Sequence, residues 1–381
     1  MTTRVRALLL GVGWLLWIWI AALAAPHVAP SRSGPRPWTC DVDRRVTPLA
    51  RWDSGWYLSI AETGYQAPPA RPGEETNHAF FPLYPELMRL LVRSTGIETS
   101  RAGNLVSALA LLGAVVLFAR WVRLRFGEER VTPSILALLV FPTSFFFATV
   151  YTEALLLFLA LASVLAIEKR HTVLAVTAGF LSGLTRISCV VLAPYLALVS
   201  LRKDRANDVP LSRALPRAFL FGVSPLAGFG LFCLYFRRRF GDPLLFVRAQ
   251  HNWSDAPVTI LSGPWLALKT VFDDVTTGKV FAANPARTLE GIYLVLFAVL
   301  AVLLIRRRQL PEGLLLIFTV GLVLFSGTFE SAGRYVLPAF PAFVVLGGLA
   351  GRPALARTAF VLSAAAQLVY VWAFIHWYWA G

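Results

Sequence analysis

The chain is patterned as long apolar runs separated by short polar segments that are rich in arginine. Several runs approach the ~20 residues that a helix needs to cross a ~30 Å hydrocarbon core. A closed barrel would instead require alternating segments of about ten residues, which the sequence does not contain. We therefore predict an all-α polytopic membrane protein with about 11 transmembrane helices (roughly 9–12). The predicted spans are 7–25, 102–119, 131–148, 152–167, 172–185, 187–201, 218–236, 290–305, 313–328, 336–350 and 356–378.

Two apolar stretches need a turn within them. The stretch 131–167 is too long for one crossing, and Pro142 and the polar triplet 151–153 interrupt it, which predicts a tight hairpin. The stretch 172–201 fits either two short spans or one tilted helix that carries Arg186. We prefer two spans, because the basic residues of most short connections then fall on the cytoplasmic side, as the positive-inside rule requires.

The composition agrees with a membrane protein. Of the 381 residues, 57% are hydrophobic and 15% are charged, whereas soluble domains are closer to a quarter charged. The net charge of +15 would suit nucleic-acid binding, but the basic residues lie between apolar runs, where they set topology and contact anionic lipids. We therefore expect membrane lipids, and no nucleic acid, as partners. Cys40, Cys189 and Cys233 form an odd set, and two of them lie in apolar segments, so a disulfide framework is not expected.

The chain is expected to be a single domain, 1–381, because no repeat of fixed period and no low-complexity tract divides it. The first apolar run, 7–25, carries three tryptophans and is long for a signal peptide, which favours a retained anchor. With the N-terminus in the cytoplasm, the two large loops, about 26–101 and 237–289, lie outside the cell.

This topology brings several charged side chains to the extracytoplasmic face. Polar groups near membrane depth are costly and usually functional, so their convergence indicates a site on that face. The residues concerned are Asp53, Glu153, Arg186, Asp242, Glu330 and Arg334.

Asp53 stands in the segment RWDSGWYLSIAETGY (51–65). The aspartate in front and Gly64 behind bracket a short predicted helix. Trp52 and Trp56, four positions apart, are expected to share a face that suits the membrane–water boundary. Asp53 is either an N-cap that accepts a backbone N–H or a reactive carboxylate. The two roles are compatible, because one oxygen can be oriented by the backbone while the other faces a substrate.

Other polar residues of the first loop carry weaker signals. A second interfacial helix is predicted over 86–93, with Pro85 at its first position. His78, just before it, is either a proton carrier or a hydrogen-bonding loop residue. The Asp-Val-Asp segment 41–43 has the spacing of a metal-binding DxD, although ordinary loop acids fit it as well.

Two features of the second loop also have alternative interpretations. Arg237–Arg239 could hold a lipid phosphate or form a solvated collar at the end of a span. Asp242, in the sequence Gly-Asp-Pro, either starts a turn or touches sugar hydroxyls.

Taken in order, several segments resemble the PIG-V-like mannosyltransferases, multi-spanning glycosyltransferases of the GT-C class. The resemblance covers most of the chain. Eukaryotic members, which build glycosylphosphatidylinositol anchors, have histidine near the position of Trp56 or Tyr57, so this chain is more similar to a bacterial relative. The segments that carry the resemblance are 51–65, AFFPLYP (79–85), YTE (151–153), TR (185–186), FGDPLLF (240–246), AQ (249–250), RY (334–335) and PAFP (338–341).

The resemblance implies a GT-C-like fold in the cell membrane. It implies transfer of mannose, or a similar hexose, from a polyprenyl-phosphate sugar to a lipid or glycan acceptor on the extracytoplasmic side. Asp53 would be the general base, and one base opposite one leaving group predicts inversion. Arg186 and Arg334 are candidates for binding the donor phosphate, because a planar guanidinium binds oxyanions bidentately. Each could instead pair with Glu153 or Glu330.

Two other functions compete with glycosyl transfer. A flippase of lipid-linked sugar would carry charges in mid-span and an inverted repeat, and a noncatalytic membrane subunit would keep only the scaffold. Most charges here lie at span ends, which favours the transferase. No cluster of His and Cys occurs, so we expect no metal site and no cofactor, with a divalent cation left open as a helper. Further substrate-binding candidates are Arg51, Trp52, Trp56, His78, Glu153 and Asp242.

Overall fold

The structure is a computed structural model, and it describes residues 2–28, 47–68, 75–251, 263–276, 285–326 and 331–378. Within those ranges the chain is all-α and contains no strand. Short 3-10 helices occupy Asn77–Ala79, Glu128–Arg130, Pro142–Ala148 and Gly348–Gly351. The α-helices are α1 (Thr3–Val28), α2 (Ser54–Thr63), α3 (Leu83–Thr95), α4 (Thr99–Phe126), α5 (Val131–Val140), α6 (Glu153–Glu168), α7 (Thr172–Ser182), α8 (Cys189–Arg205), α9 (Leu211–Phe240), α10 (Leu245–His251), α11 (Gly263–Thr276), α12 (Pro285–Arg306), α13 (Leu310–Phe325), α14 (Ala332–Tyr335), α15 (Pro341–Gly347) and α16 (Pro353–Ile375).

Among the described helices, five are long and apolar enough to cross a membrane: α1, α4, α9, α12 and α16. A sixth span results if 128–140 and 142–148 count as one broken crossing, while α7 and α13 are apolar but shorter. The prediction of an all-α protein with several helices able to span a membrane is confirmed. The predicted number of about 11 spans is not confirmed.

Two groups of ion pairs mark opposite ends of the helices. At the C-terminal end of α6, Glu168 pairs with Arg202 of α8, which also pairs with Glu312 of α13. At the N-terminal end of α6, Glu153 pairs with Arg186. Because α6 has 16 residues, its ends lie about 24 Å apart, close to the thickness of a hydrocarbon core. The two groups of ion pairs therefore lie one helix length apart, at opposite ends of α6.

The ion pairs near the C-terminal end of α6 involve residues that the predicted topology places on the cytoplasmic side. Arg125, near the C-terminus of α4, lies 3.9 Å from Glu312, and Arg6 of α1 lies 3.5 Å from Glu128 just beyond α4. The N-terminus of α1 and the C-termini of α4, α6 and α8 therefore share one end of the bundle.

The stretch 131–148 is bent. α5 ends at Val140, and the 3-10 helix Pro142–Ala148 leaves it at an angle of 85°. Proline has no N–H to donate and disfavours a helical residue before it, so the break falls at Pro142, as predicted. The predicted span 131–148 is therefore present only as a bent pair of helices, either a broken crossing or a re-entrant loop.

The stretch 172–201 forms two helices, α7 and α8, as predicted. α7 packs closely on α9, where Gly183 faces Gly228. A Cβ atom at Gly228 would collide with the backbone oxygen of Phe180, so only a residue without a side chain fits there.

The predicted span 336–350 is also wrong as a continuous helix. In this stretch the chain turns after α14, forms the short helix α15 and continues into the 3-10 helix Gly348–Gly351, and Pro338 and Pro341 interrupt the helical pattern. The seven residues of α15 measure about 10 Å, which is too short to cross a membrane. The predicted outer loop 237–289 is partly helical. Its described residues include the end of α9 and the helices α10 and α11.

The two short helices predicted after the first span are present as α2 and α3. Each ends at a glycine with positive φ, Gly64 at 85° and Gly96 at 71°. α3 begins at Leu83, two residues before Pro85, so the predicted start at Pro85 is wrong. Pro85 still lies in the first turn, where its missing N–H has no intrahelical partner to lose.

Candidate active site

Four charged side chains form one continuous series of contacts. Arg334 donates from Nη1 to Oδ2 of Asp53 (2.7 Å) and from Nε to Oε1 of Glu153 (3.0 Å). Arg186 donates from Nη1 to the same Oε1 (2.6 Å). Two guanidinium groups thus converge on one carboxylate oxygen, and one of them reaches a second carboxylate. These four residues are called the charged cluster below.

The charged cluster is largely shielded from solvent. The Glu153 side chain is fully buried, those of Arg334 and Arg186 are 7% and 10% exposed, and that of Asp53 is 15% exposed. An unpaired charge would be costly in such surroundings, and the two carboxylates here balance the two guanidinium groups. Asp53 has the most accessible side chain of the four.

Aromatic rings orient the two guanidinium groups. Cζ of Arg334 lies 4.4 Å from the ring centroid of Tyr151 and 5.1 Å from that of Phe146. Cζ of Arg186 lies 4.7 Å from the ring centroid of Tyr335. Cation–π attraction of this kind is strongest in desolvated sites, and it does not use the N–H donors of the guanidinium.

Asp53 immediately precedes α2 but does not cap it. Within the described residues its carboxylate accepts no backbone N–H of α2, so the capping interpretation is wrong. The carboxylate turns to Arg334 instead. The preceding residue, Trp52, has φ = 56°, in the left-handed region that is unfavourable for a bulky side chain. Backbone strain of this kind clusters at functional sites.

Glu153 is positioned by the start of α6. It is the first residue of that helix, where the macrodipole favours a negative charge. The turn before it is tied to α4, because Asn104 donates to the carbonyl of Ala148 (3.0 Å) and Ser107 to that of Thr149 (2.7 Å).

The two arginines are carried by breaks between helices. Arg186 lies in the turn between α7 and α8, and Arg334 lies on α14. The α14 turn is held at Gly333, whose carbonyl accepts from Thr143 (2.8 Å) and whose N–H donates to Glu290.

Trp52 and Trp56 pack against the protein. The Trp52 ring centroid lies 5.6 Å from that of Trp377, and Trp56, which is buried, stacks on Phe80 with centroids 6.0 Å apart. The prediction that they share one helix face is wrong, because Trp52 precedes α2 and Trp56 is buried against Phe80. Their placement at the membrane–water boundary stays a prediction.

Arg51, the residue before Trp52, binds the backbone. Its Nη1 donates to the carbonyl oxygens of Thr47 (3.1 Å) and Ala50 (3.0 Å), and its Cζ lies 5.5 Å from the Trp377 ring centroid. These contacts hold the segment that leads into Asp53.

His78 is buried between two hydrogen-bond partners. Its Nε2 lies 3.1 Å from the Gln66 carbonyl oxygen, which can only accept, so Nε2 carries the proton. Nδ1 of the neutral ring then accepts from the Thr76 hydroxyl (2.8 Å). Burial lowers the pKa of His78, against the opposing effect of the bond to Gln66. Both ring nitrogens serve the loop, which favours the loop interpretation over a proton carrier.

Asp242 makes its described contacts away from the charged cluster. Its Oδ1 accepts from the N–H of Leu244 (3.0 Å) and its carboxylate pairs with Arg248, so it starts the turn into α10. Arg237–Arg239 form the exposed last turn of α9, which favours a solvated collar.

Some sequence-predicted features lie outside the described residues, namely Cys40, the acidic pair of 41–43 and Glu330. Among the residues that are described, no group of three His, Cys, Asp or Glu side chains could hold a metal ion. In the same part of the chain Cys189 and Cys233 are free thiols.

Residues 22–214 match the model of the family described as Mannosyltransferase (PIG-V). The match covers just over half of the chain and includes Asp53, Glu153 and Arg186. The chain belongs to the PIG-V mannosyltransferase family. The resemblance predicted from sequence is thereby confirmed, and glycosyl transfer is the class of activity that membership supports.

Two further comparisons accompany this family assignment. No curated protein sequence matches the chain. The chain is similar to the Archaeoglobus fulgidus oligosaccharyltransferase, as seen in its crystal structure in complex with Zn and sulfate, with a TM-score of 0.43 and 14% identity. The alignment covers 97% of this chain and 53% of the oligosaccharyltransferase chain, so this PIG-V family member spans about half the length of that protein.

Two residues at the site were missed by sequence reasoning. Tyr151 contacts both Asp53 and Arg334, and Glu290 binds the backbone beside Arg334. Tyr151 belongs to the Tyr-Thr-Glu segment of the resemblance, but only its glutamate was selected as charged. Glu290 is an acid at the start of an apolar run, a signal that the topology argument could have used.

Proposed function

We propose that this PIG-V family member transfers a hexose from a polyprenyl-phosphate sugar to a hydroxyl group of a lipid or glycan acceptor. Mannose is the sugar that the family suggests. The reaction would take place on the extracytoplasmic side of the cell membrane. The proposal rests on one observation above all: Arg334 joins the most accessible carboxylate, Asp53, to the pair formed by Glu153 and Arg186.

Asp53 is assigned the role of general base. The acceptor hydroxyl gives its proton to the Asp53 carboxylate while its oxygen forms a bond to the anomeric carbon. The bond from that carbon to the phosphate oxygen breaks, and its electron pair stays on the oxygen. Polyprenyl phosphate leaves with one more negative charge, and Asp53 returns the proton to water. Attack opposite the leaving group inverts the anomeric centre.

Arg334 and Arg186 are assigned to the departing phosphate. A guanidinium has five N–H donors, and the bonds to carboxylates use two on Arg334 and one on Arg186 among the described contacts. The remaining donors suit phosphate oxygens, and the fixed fork geometry suits bidentate binding. Glu153 would keep the two cations together, since they would otherwise repel each other in a buried site.

The remaining candidates are assigned supporting roles. Arg51 and Trp52 directly precede Asp53 and would form the wall on which the acceptor or sugar rests. Trp56, His78 and Asp242 make contacts that support the surrounding loops. The proposal invokes no cofactor, and a divalent cation is left open as a helper.

The test compares Asp53→Asn with Glu62→Gln in membranes supplied with labelled polyprenyl-phosphate mannose. Glu62 is an exposed acid on α2, the helix that Asp53 precedes, so it is a matched control. Loss of the base predicts a fall in transfer of about 10²–10⁴-fold for Asp53→Asn and little change for Glu62→Gln. Transfer by Asp53→Asn at the wild-type rate, with equal expression, would remove Asp53 as the base.

A further inference from the structure

Tyr151 spans the strained residue that precedes Asp53. Its phenol donates to the carbonyl of Arg51 (3.2 Å) and accepts from the N–H of Asp53 (3.1 Å), so one hydroxyl bridges the backbone on both sides of Trp52. Trp52 is the residue with φ = 56°. A tryptophan does not favour this conformation, so contacts from outside the segment must hold it.

The ring of Tyr151 also faces Arg334. The Arg334 Cζ lies 4.4 Å from its centroid, which is within cation–π range. One side chain therefore touches the backbone of Asp53 with its hydroxyl and the partner of Asp53 with its ring.

Tyr151 is itself rigidly held. It is 1% exposed, and its ring packs against those of Tyr57, Phe146 and Phe374, with centroids 6.2, 5.2 and 6.1 Å away. The adjacent N–H of Val150 donates to the carbonyl of Leu49 (3.2 Å), which binds the turn to the segment before Asp53. A buried, fully packed side chain can transmit its position to the groups it touches.

We propose that Tyr151 is the positioning residue of the site: its hydroxyl fixes residues 51–53 in their strained turn, and its ring fixes Arg334 opposite the Asp53 carboxylate. Its role in the reaction rests on the proposed function, while its hold on residues 51–53 does not. Misplacement of a reacting group by about 1 Å can cost on the order of 10²-fold in rate. The hydroxyl is therefore expected to influence kcat far more than donor binding.

The kinetic test compares Tyr151→Phe with Tyr84→Phe. Tyr84 is a matched control, because it is fully buried and its hydroxyl also makes two hydrogen bonds, to Gly103 (2.8 Å) and Ser107 (2.7 Å). Tyr151→Phe should lower kcat about 10–100-fold and leave the KM for the donor within about threefold, because the ring still faces Arg334. Tyr84→Phe should change neither. Equal losses in both variants, or a change confined to KM, would overturn the proposal.

A second variant tests the strain directly. Glycine adopts positive φ without cost. In a Trp52→Gly protein the Tyr151 hydroxyl should therefore be less important for holding residue 52 in that conformation. In that background, Tyr151→Phe should lower kcat less than about threefold relative to Trp52→Gly alone. A loss as large as in the wild-type background would show that the hydroxyl does not act through residue 52.

A readout independent of activity separates the two proposals. The protein is labelled with 5-fluorotryptophan, and the Trp52 resonance is assigned in the ¹⁹F NMR spectrum with Trp52→Phe. Tyr151→Phe should shift or broaden this resonance and leave that of Trp14 unchanged, while Tyr84→Phe should leave both unchanged. An unchanged Trp52 resonance overturns the hold on residues 51–53. If the resonance responds but the wild-type protein transfers no sugar from any donor, the proposed function fails and the hold on residues 51–53 stands.

Discussion

Arg334 is the side chain on which the geometry of the site depends most. It reaches Asp53 from Nη1 and Glu153 from Nε, two atoms of one rigid plane. A single cationic point could contact one carboxylate or the other, whereas the fork contacts both. The shape of the guanidinium, as well as its charge, therefore matters.

Replacing Arg334 with lysine keeps the charge and removes the fork. Each hydrogen bond to a charged group contributes about 1.5–3 kcal/mol, so loss of one contact predicts a fall in kcat/KM of roughly 10–100-fold. The matched control is Arg237→Lys, at the exposed end of α9, which should stay close to wild type. Steady-state transfer kinetics measure both. A wild-type rate for Arg334→Lys would show that the fork geometry is unnecessary.

His78 predicts a specific dependence of stability on pH. Burial lowers its pKa below the ordinary value of about 6.5, so the unfolded chain binds the proton more tightly than the folded chain. Stability should therefore fall as the pH drops below about 6.5 and level off below the folded-state pKa, by about 1.4 kcal/mol for each unit of lowering.

The measurement is the thermal midpoint of the detergent-solubilised protein between pH 8 and pH 5, compared with that of His78→Gln. The variant should lose part of the acid-induced decrease. Identical pH profiles for the two proteins would mean that His78 is not the titrating group.

For single residues, the sequence predicts which charged side chains belong to the site better than it predicts which of them contact each other. Asp53, Glu153 and the two arginines can be selected because they are charged and lie at the ends of apolar runs. The contact between Asp53 and Arg334 joins positions 281 residues apart, and no local pattern specifies it. The sequence does not predict the positive φ of Trp52 either, because tryptophan does not favour that conformation.

Glycine residues allow α7 and α9 to pack very closely against each other. Gly183 and Gly228 face each other across the contact, and a Cβ at either would meet backbone atoms that cannot rotate away. The turn after α7 carries Arg186, so this contact also sets the position of one member of the charged cluster.

Gly228→Ala should destabilise the protein by about 1–3 kcal/mol, because the added methyl group collides with the Phe180 carbonyl. Gly230→Ala, on the same helix and with open space around it, should be neutral or stabilising by up to about 1 kcal/mol. Denaturation midpoints in detergent compare them. Equal midpoints for the two variants would contradict the close approach.

The helices themselves are largely predictable, and their breaks are only partly so. Apolar length predicts α1, α4, α9, α12 and α16, and Pro142 predicts the bend after α5. The stretch 336–350 is as apolar as a span, and its two prolines were not enough to reject it. The structure forms the short helices α14 and α15 there instead, and α14 brings Arg334 to Glu153.

For the whole molecule, the arrangement of helices assigns the charged cluster and the Arg202–Glu312 pair to opposite ends. The positive-inside rule favours the second of these as the cytoplasmic end. Which end faces the cytoplasm decides whether the donor sugar must be outside the cell.

Cysteine labelling tests this orientation. Starting from a variant without its native cysteines, Thr63→Cys and Asn207→Cys place exposed thiols near the two ends. A membrane-impermeant maleimide should label Thr63→Cys in intact cells and Asn207→Cys only after permeabilisation. The opposite pattern would move the proposed reaction to the cytoplasmic side.

An experimental structure with a polyprenyl-phosphate sugar bound would show directly whether the charged cluster is the site of transfer. We expect the phosphate within hydrogen-bonding distance of Arg334 and Arg186, with the anomeric carbon on the side of the Asp53 carboxylate. A phosphate held instead by Arg237–Arg239, with the charged cluster unchanged and the sugar remote from Asp53, would contradict it.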